Sequence, residues 1–136
     1  MKMLTRLRGL RRDQKGAAAL EFALAVPVLV TFIVGIAQLG MLFMANNGLD
    51  SAVAAGARYA TIYPRPSDTQ IQSLIASSRW GLDPARMTTP VITHGTTSNN
   101  DWVRITTNYD VDMDFIFFTI PNVTLTETRT AWVHGS

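Results

Sequence analysis

The sequence predicts an α+β protein: a long N-terminal transmembrane helix continuing into a small head with a short helix and a three-stranded antiparallel sheet. Three observations predict it. An apolar run, Ala17–Ala45, is long enough to cross a bilayer. Helical spacing persists beyond it to about Ile62. After Gly81 the apolar period changes from helical to two.

The first element is a basic leader, Met1–Gly16. Lys2, Arg6, Arg8, Arg11, Arg12 and Lys15 against Asp13 give it a charge of +5, while the remainder sums to −3. The high pI therefore belongs to the leader. Beside a spanning segment, such a cluster reads as the positive-inside signal, not as a nucleic-acid contact. Residues 1–16 are expected in the cytoplasm and the head, residues 46–136, outside it.

The second element is the span, residues 17–45. Phe22–Ala37 carries no charge, and Thr31 is its only polar side chain. As a helix, Ala17–Ala45 would extend about 43 Å, more than the roughly 30 Å hydrocarbon core. Pro27 removes one backbone donor, which membrane helices tolerate. Thr31 and Gly35 form a small-residue pair at i, i+4, either a site for close helix packing or a chance pairing in an Ala- and Gly-rich segment. Gly35-Ile36-Ala37 fits a signal-peptidase site, but the preceding run exceeds the usual apolar length and contains Glu21 and Pro27. Conventional signal cleavage is not expected.

Glu21 is the sharpest residue. A carboxylate within a spanning segment is costly and calls for a partner. Cleavage after Gly16 would create a new ammonium at Ala17, about 6 Å along the helix from Glu21. In a bundle, the carboxylate of one subunit could then neutralise the ammonium of the next. The alternative is a residue at the membrane edge reaching headgroup level.

Lys15-Gly16-Ala17-Ala18-Ala19-Leu20-Glu21-Phe22 resembles the processing site of type IV prepilins in their Tad (Flp) form. The resemblance continues through Pro27, Gly35 and Gly56-Ala57-Arg58-Tyr59-Ala60, and this stretch is similar to TadE-like minor pilins. Gly81-Leu82-Asp83-Pro84-Ala85-Arg86 looks like the turn before the first strand of their heads. Gln38-Leu39 departs from the acidic–aromatic pair common there. The resemblance implies cleavage by a prepilin peptidase between Gly16 and Ala17, and assembly through Glu21 and Phe22. It implies other pilins and the Tad secretion machinery as partners, beside membrane lipid. It implies a bacterial inner-membrane protein that supports pilus biogenesis, adhesion and biofilm formation. The alternative is an uncleaved single-pass signal anchor whose head binds an envelope partner or ligand; a membrane-tethered hydrolase is a third reading.

In the head, Leu49, Val53, Gly56 and Ala60 form one helical stripe of small side chains, with Asp50 and Arg58 on a wetter face. Pro64 and Pro66 end this helix. Ser67 and Asp68 are N-cap candidates for a helix over Thr69–Arg79, with Ile71, Leu74, Ile75 and Ser78 inward. Gly81 and Pro84 close it. Strands are expected at Val91–Thr93, Trp102–Phe115 and Val123–His134, with a loop over Gly95–Asp101. The middle strand alternates Val103, Ile105, Tyr109, Val111, Met113 and Phe115 against Arg104, Thr106, Asn108, Asp110, Asp112 and Asp114. The chain has no cysteine, so no disulfide supports this small head.

Catalytic and metal signatures are weak. Asp110, Asp112 and Asp114 begin like a calcium loop, but Phe115 and Pro121 stand where that loop needs Gly and Glu. His94 and His134 lack zinc-ligand spacing. There is no nucleophile elbow or phosphate-binding glycine loop. Asn122-Val123-Thr124 matches a glycosylation sequon that carries little weight in a bacterial setting. The expectation is a non-enzyme without cofactor, metal, nucleic acid or small-molecule substrate. Ile116-Phe117-Phe118-Thr119-Ile120 either covers the helix stripe or, through Phe117 and Phe118, contacts another subunit.

Overall fold

The computed structural model describes residues 14–97 and 100–133. The leader before Gln14, part of the expected Gly95–Asp101 loop and His134 lie outside the described residues. Helix α1 spans Gln14–Tyr59 and runs through Pro27 without interruption. The chain divides between Ala37 and Gln38 into two compact units.

The described part of the first unit, residues 14–37, is helix alone. It is apolar all round, and its side chains are exposed or half-buried. Thr31 Oγ1 donates to the Pro27 carbonyl at 2.8 Å, so this hydroxyl is satisfied within its own helix.

The second unit contains the rest of α1, helix α2 (Asp68–Ser78), a 3₁₀ turn (Pro84–Arg86) and strands β1 (Val91–Thr97), β2 (Asn100–Asp114) and β3 (Thr119–Val133). The sheet is an antiparallel meander in the order β1-β2-β3. Its core forms where the small-residue stripe of α1 meets α2 and the inner face of β2. Leu49, Val53, Gly56 and Ala60 are all buried, as their spacing requires. Ala52, Val53 and Ala60 pack with Ile71 and Ile75 of α2 and with Val103, Ile105 and Val133 of the sheet. A second cluster joins Ala45 and Leu49 to Leu82 and Tyr109. Burial thus begins at Ala45, inside the stretch that composition alone allots to the span.

Small residues set how closely the layers approach. A Cβ on Gly56 would lie 2.5 Å from Ile75 Cγ1, and one on Gly48 would lie 2.8 Å from the Trp80 carbonyl oxygen. Helix α2 starts at a capping box: Ser67 Oγ accepts from Gln70 N–H, and Gln70 Oε1 accepts from Ser67 N–H. Gly81, at φ 75°, supplies the left-handed turn after α2. The Tyr63–Pro64 peptide is cis.

The strands are longer than the sequence pattern predicts. Strand β1 continues through His94 and Gly95 to Thr97 because Gly95 pairs with Trp102, whose indole lies where a Cβ would stand. Strand β3 begins at Thr119, ahead of Pro121. Pro121 and Asn122 stand together opposite Asp112, forming a bulge in an edge strand, where proline is tolerated. Thr107, absent from the expected inner face, is buried there and donates through Oγ1 to the Thr88 carbonyl at 2.9 Å. That bond removes the cost of placing a hydroxyl in the core.

Candidate functional site

Gly16 and Ala17 lie in α1 and are exposed. A Cβ on Gly16 would meet nothing within 4 Å. Folding therefore places no demand for glycine at this position. Glu21 and Phe22 follow one turn later, both exposed, Phe22 at 71 %. Among the described residues, none forms an ion pair with Glu21.

The same condition extends along the helix. Leu24, Val28, Leu29, Phe32, Ile33 and Ile36 are all exposed. The most apolar window of α1 has mean hydropathy 2.3, with none of it buried within the chain. One helix among the described residues is thus long and apolar enough to cross a membrane. A helix apolar on every side needs cover from lipid or from other helices. Thr31 and Gly35 keep their i, i+4 spacing, but the Thr31 hydroxyl is already bonded internally. Close approach there would rest on small size, not on an interhelical hydrogen bond.

The sheet has a second apolar surface. Phe117 and Phe118 are 68 % and 53 % exposed, so the turn does not cover the helix stripe; α2 and β2 do. Phe118 stacks on Phe115 with ring centroids 4.6 Å apart, and Phe115 N–H donates to the Phe118 carbonyl at 2.8 Å. The sequence reading noted Gln38 only as a departure from the family pattern and missed its contact: Gln38 Nε2 donates to the Asp114 carbonyl at 2.7 Å. Its signal was present: it is the first polar side chain after Thr31.

The carboxylate row of β2 fastens this end of the sheet. Asp110 Oδ1 accepts from Thr124 Oγ1 at 2.6 Å. Asp112 accepts from Asn122 N–H at 3.0 Å and pairs with Arg86 at 3.0 Å. The Asn122 amide, then Arg86, hold the Asp112 carboxyl below its usual range. At the other end, the Thr96 hydroxyl and Arg65 lower Asp101 in the same way. Arg129 bonds Asp50, tying β3 to α1, and that contact raises its pKa further. His94 Nε2 lies 2.8 Å from Asp68 Oδ1 and links β1 to the first turn of α2. Met87 and Thr88 line a cleft of about 330 Å³ beside α2, in which Arg79 is the one charged lining residue.

No curated protein and no solved structure matches the chain. Residues 16–58 match the model of a protein family described as TadE-like protein. The match begins at the Gly16–Ala17 junction, takes in the uncovered apolar helix and ends within the small-residue stripe. The matched segment is about a third of the chain's length, and over it the chain is similar to TadE-like proteins.

Proposed function

We propose that the chain is a minor pilin or pseudopilin of a Tad-type pilus. It is cleaved after Gly16 and assembles through α1 to support pilus biogenesis, adhesion and biofilm formation. The observation that carries this reading is the uncovered apolar helix with one carboxylate, Glu21, that has no ion-pair partner among the described residues, five residues after the Gly16 junction. A fibre of packed helices would cover that surface, and the Ala17 ammonium of a neighbouring copy would neutralise the carboxylate. In this reading the partners are a prepilin peptidase, other pilins, the Tad secretion machinery and membrane lipid. The subunit starts in the inner membrane with its leader in the cytoplasm. Its chemistry is assembly, with no catalytic step.

One observation favours a second reading, the uncleaved signal anchor. Helix α1 is described from Gln14 onward, so the Gly16–Ala17 bond lies in helical backbone. A peptidase would have to unwind that stretch of helix before cutting it.

Glu21 variants test the assembly step. Glu21→Ala leaves the apolar length and basic leader unchanged, so insertion and cleavage should persist. Assembly would bring an unpaired ammonium into an apolar bundle, at a cost on the order of several kcal/mol. Glu21→Gln keeps the size and loses the charge, so it should fail nearly as badly. The measurement is surface pilus yield beside the cleaved fraction of this subunit. Normal yield with both variants would reduce Glu21 to a membrane-edge residue.

A further inference from the structure

The connection between β2 and β3 is Phe115-Ile116-Phe117-Phe118, followed by Thr119-Ile120 at the start of β3, where a hairpin ordinarily carries Gly, Asn or Asp. Ile116, Phe117, Phe118 and Ile120 are all at least 44 % exposed. The turn is nevertheless well tied. Phe115 N–H is bonded to the Phe118 carbonyl, the two rings stack, and Asn122 N–H is taken by Asp112. These bonds hold backbone groups that hydrocarbon could not satisfy.

The Gln38–Asp114 bond gives the turn a level along the chain. Ala17–Ala37 would rise about 31 Å as a helix, which matches a hydrocarbon core of roughly 30 Å. Gln38 is the next residue. Counting the core from Phe22 instead would set the Gln38 amide deeper and make a bonded partner for it more necessary. On either count the turn bonded to Gln38 stands at or within the boundary between hydrocarbon and headgroups. Leu39, Met41, Phe43 and Met44, on the α1 segment that follows, are also exposed, so the apolar surface continues around this end of the head.

Resting on the reading that α1 spans a membrane, we propose that the Phe115–Ile120 turn is a second membrane contact. It inserts Ile116, Phe117 and Phe118 into the interfacial layer of the bilayer that α1 crosses. The contact is apolar. The turn carries no Lys or Arg, and Asp114 lies at its edge, so anionic headgroups would not attract it. The internally bonded Phe115 N–H and Phe118 carbonyl, together with the exposed Leu39, Met41, Phe43 and Met44 just after Gln38, favour lipid over a second copy of the chain as occupant.

The absence of cysteine makes site-directed spin labelling direct. The full chain, carrying Phe22→Cys, Ile116→Cys, Phe117→Cys or Thr126→Cys, is labelled and reconstituted in phosphatidylcholine vesicles with a minor share of phosphatidylglycerol. Collision with oxygen, which concentrates in lipid, is compared with collision with a water-soluble nickel chelate. Labels at 22, 116 and 117 should each favour oxygen several-fold over the label at Thr126, an exposed strand position. That preference should be unchanged by salt and by protein-to-lipid ratio. Phe117→Asp combined with the 116 label should return that label to water, and Phe117→Leu should not. A lipid-exposed label at 22 with water-exposed labels at 116 and 117 overturns the contact and leaves the anchor intact. A water-exposed label at 22 overturns both. Labels at 116 and 117 shielded from both reagents, with spin–spin broadening that grows with protein-to-lipid ratio, would make the occupant another copy and overturn the lipid contact.

Discussion

Gly56 shows how one residue sets the spacing between layers. Glycine inside a helix costs up to about 1 kcal/mol relative to alanine, so Gly56→Ala gains that much in helix propensity. Against this, the new Cβ would stand 2.5 Å from Ile75 Cγ1 and 2.6 Å from Ile75 Cδ1. Ile75 is fully buried and has no free direction in which to yield. Overpacking of this kind costs about 1–3 kcal/mol, so Gly56→Ala should lose up to about 2 kcal/mol net. Gly56→Val should lose more. Gly40→Ala is the matched control, because a Cβ there meets nothing within 4 Å and only the propensity gain remains. Trp80, Trp102 and Trp132 all lie in the head, so their fluorescence during denaturation in detergent reports these shifts. Equal stability of the Gly56 and Gly40 variants would contradict the packing account. The Leu49–Val53–Gly56–Ala60 stripe was legible because four apolar residues repeat at helical spacing. The identity of its partner was not, since Ile71 and Ile75 are joined to it by tertiary packing alone.

At the scale of elements, the β2–β3 end is held by Asp112. Its carboxylate accepts the amide of Asn122, the bulge residue at φ 57°, and pairs with Arg86. These contacts lower its pKa from 3.8. A depressed folded-state pKa means the contribution is present above the unfolded value and is lost as pH falls through the folded one. The Asn122 amide resonance should therefore shift with a midpoint below 3.8, and Asp112→Asn should abolish the transition. A midpoint at or above 3.8 would contradict the contact. The existence of three strands was legible from period-two alternation, but their ends were not. Gly95 and Pro121 read as breakers, yet Gly95 makes room for the Trp102 ring and Pro121 sits in the bulge opposite Asp112. Thr107 interrupts the apolar alternation, and only its bond to the Thr88 carbonyl explains its burial.

Over the whole molecule, charge and apolarity are sorted along the chain. A leader of charge +5 precedes an uncovered apolar helix, and the remainder is net negative. This sorting could be read from composition alone, as could the Gly16–Glu21 spacing. The joining of Gln38 to the β2–β3 end of the head could not, because Gln38 and Asp114 are 76 positions apart and meet only in the fold. The central claim is that the leader is removed so that Glu21 can meet a new N-terminus. Intact mass of the native protein, isolated from cells with an active prepilin peptidase, tests it most directly. The proposal predicts a chain beginning at Ala17, with a mass of about 13 kDa after loss of the basic leader. A mass of 15.0 kDa, corresponding to Met1–Ser136, would contradict it.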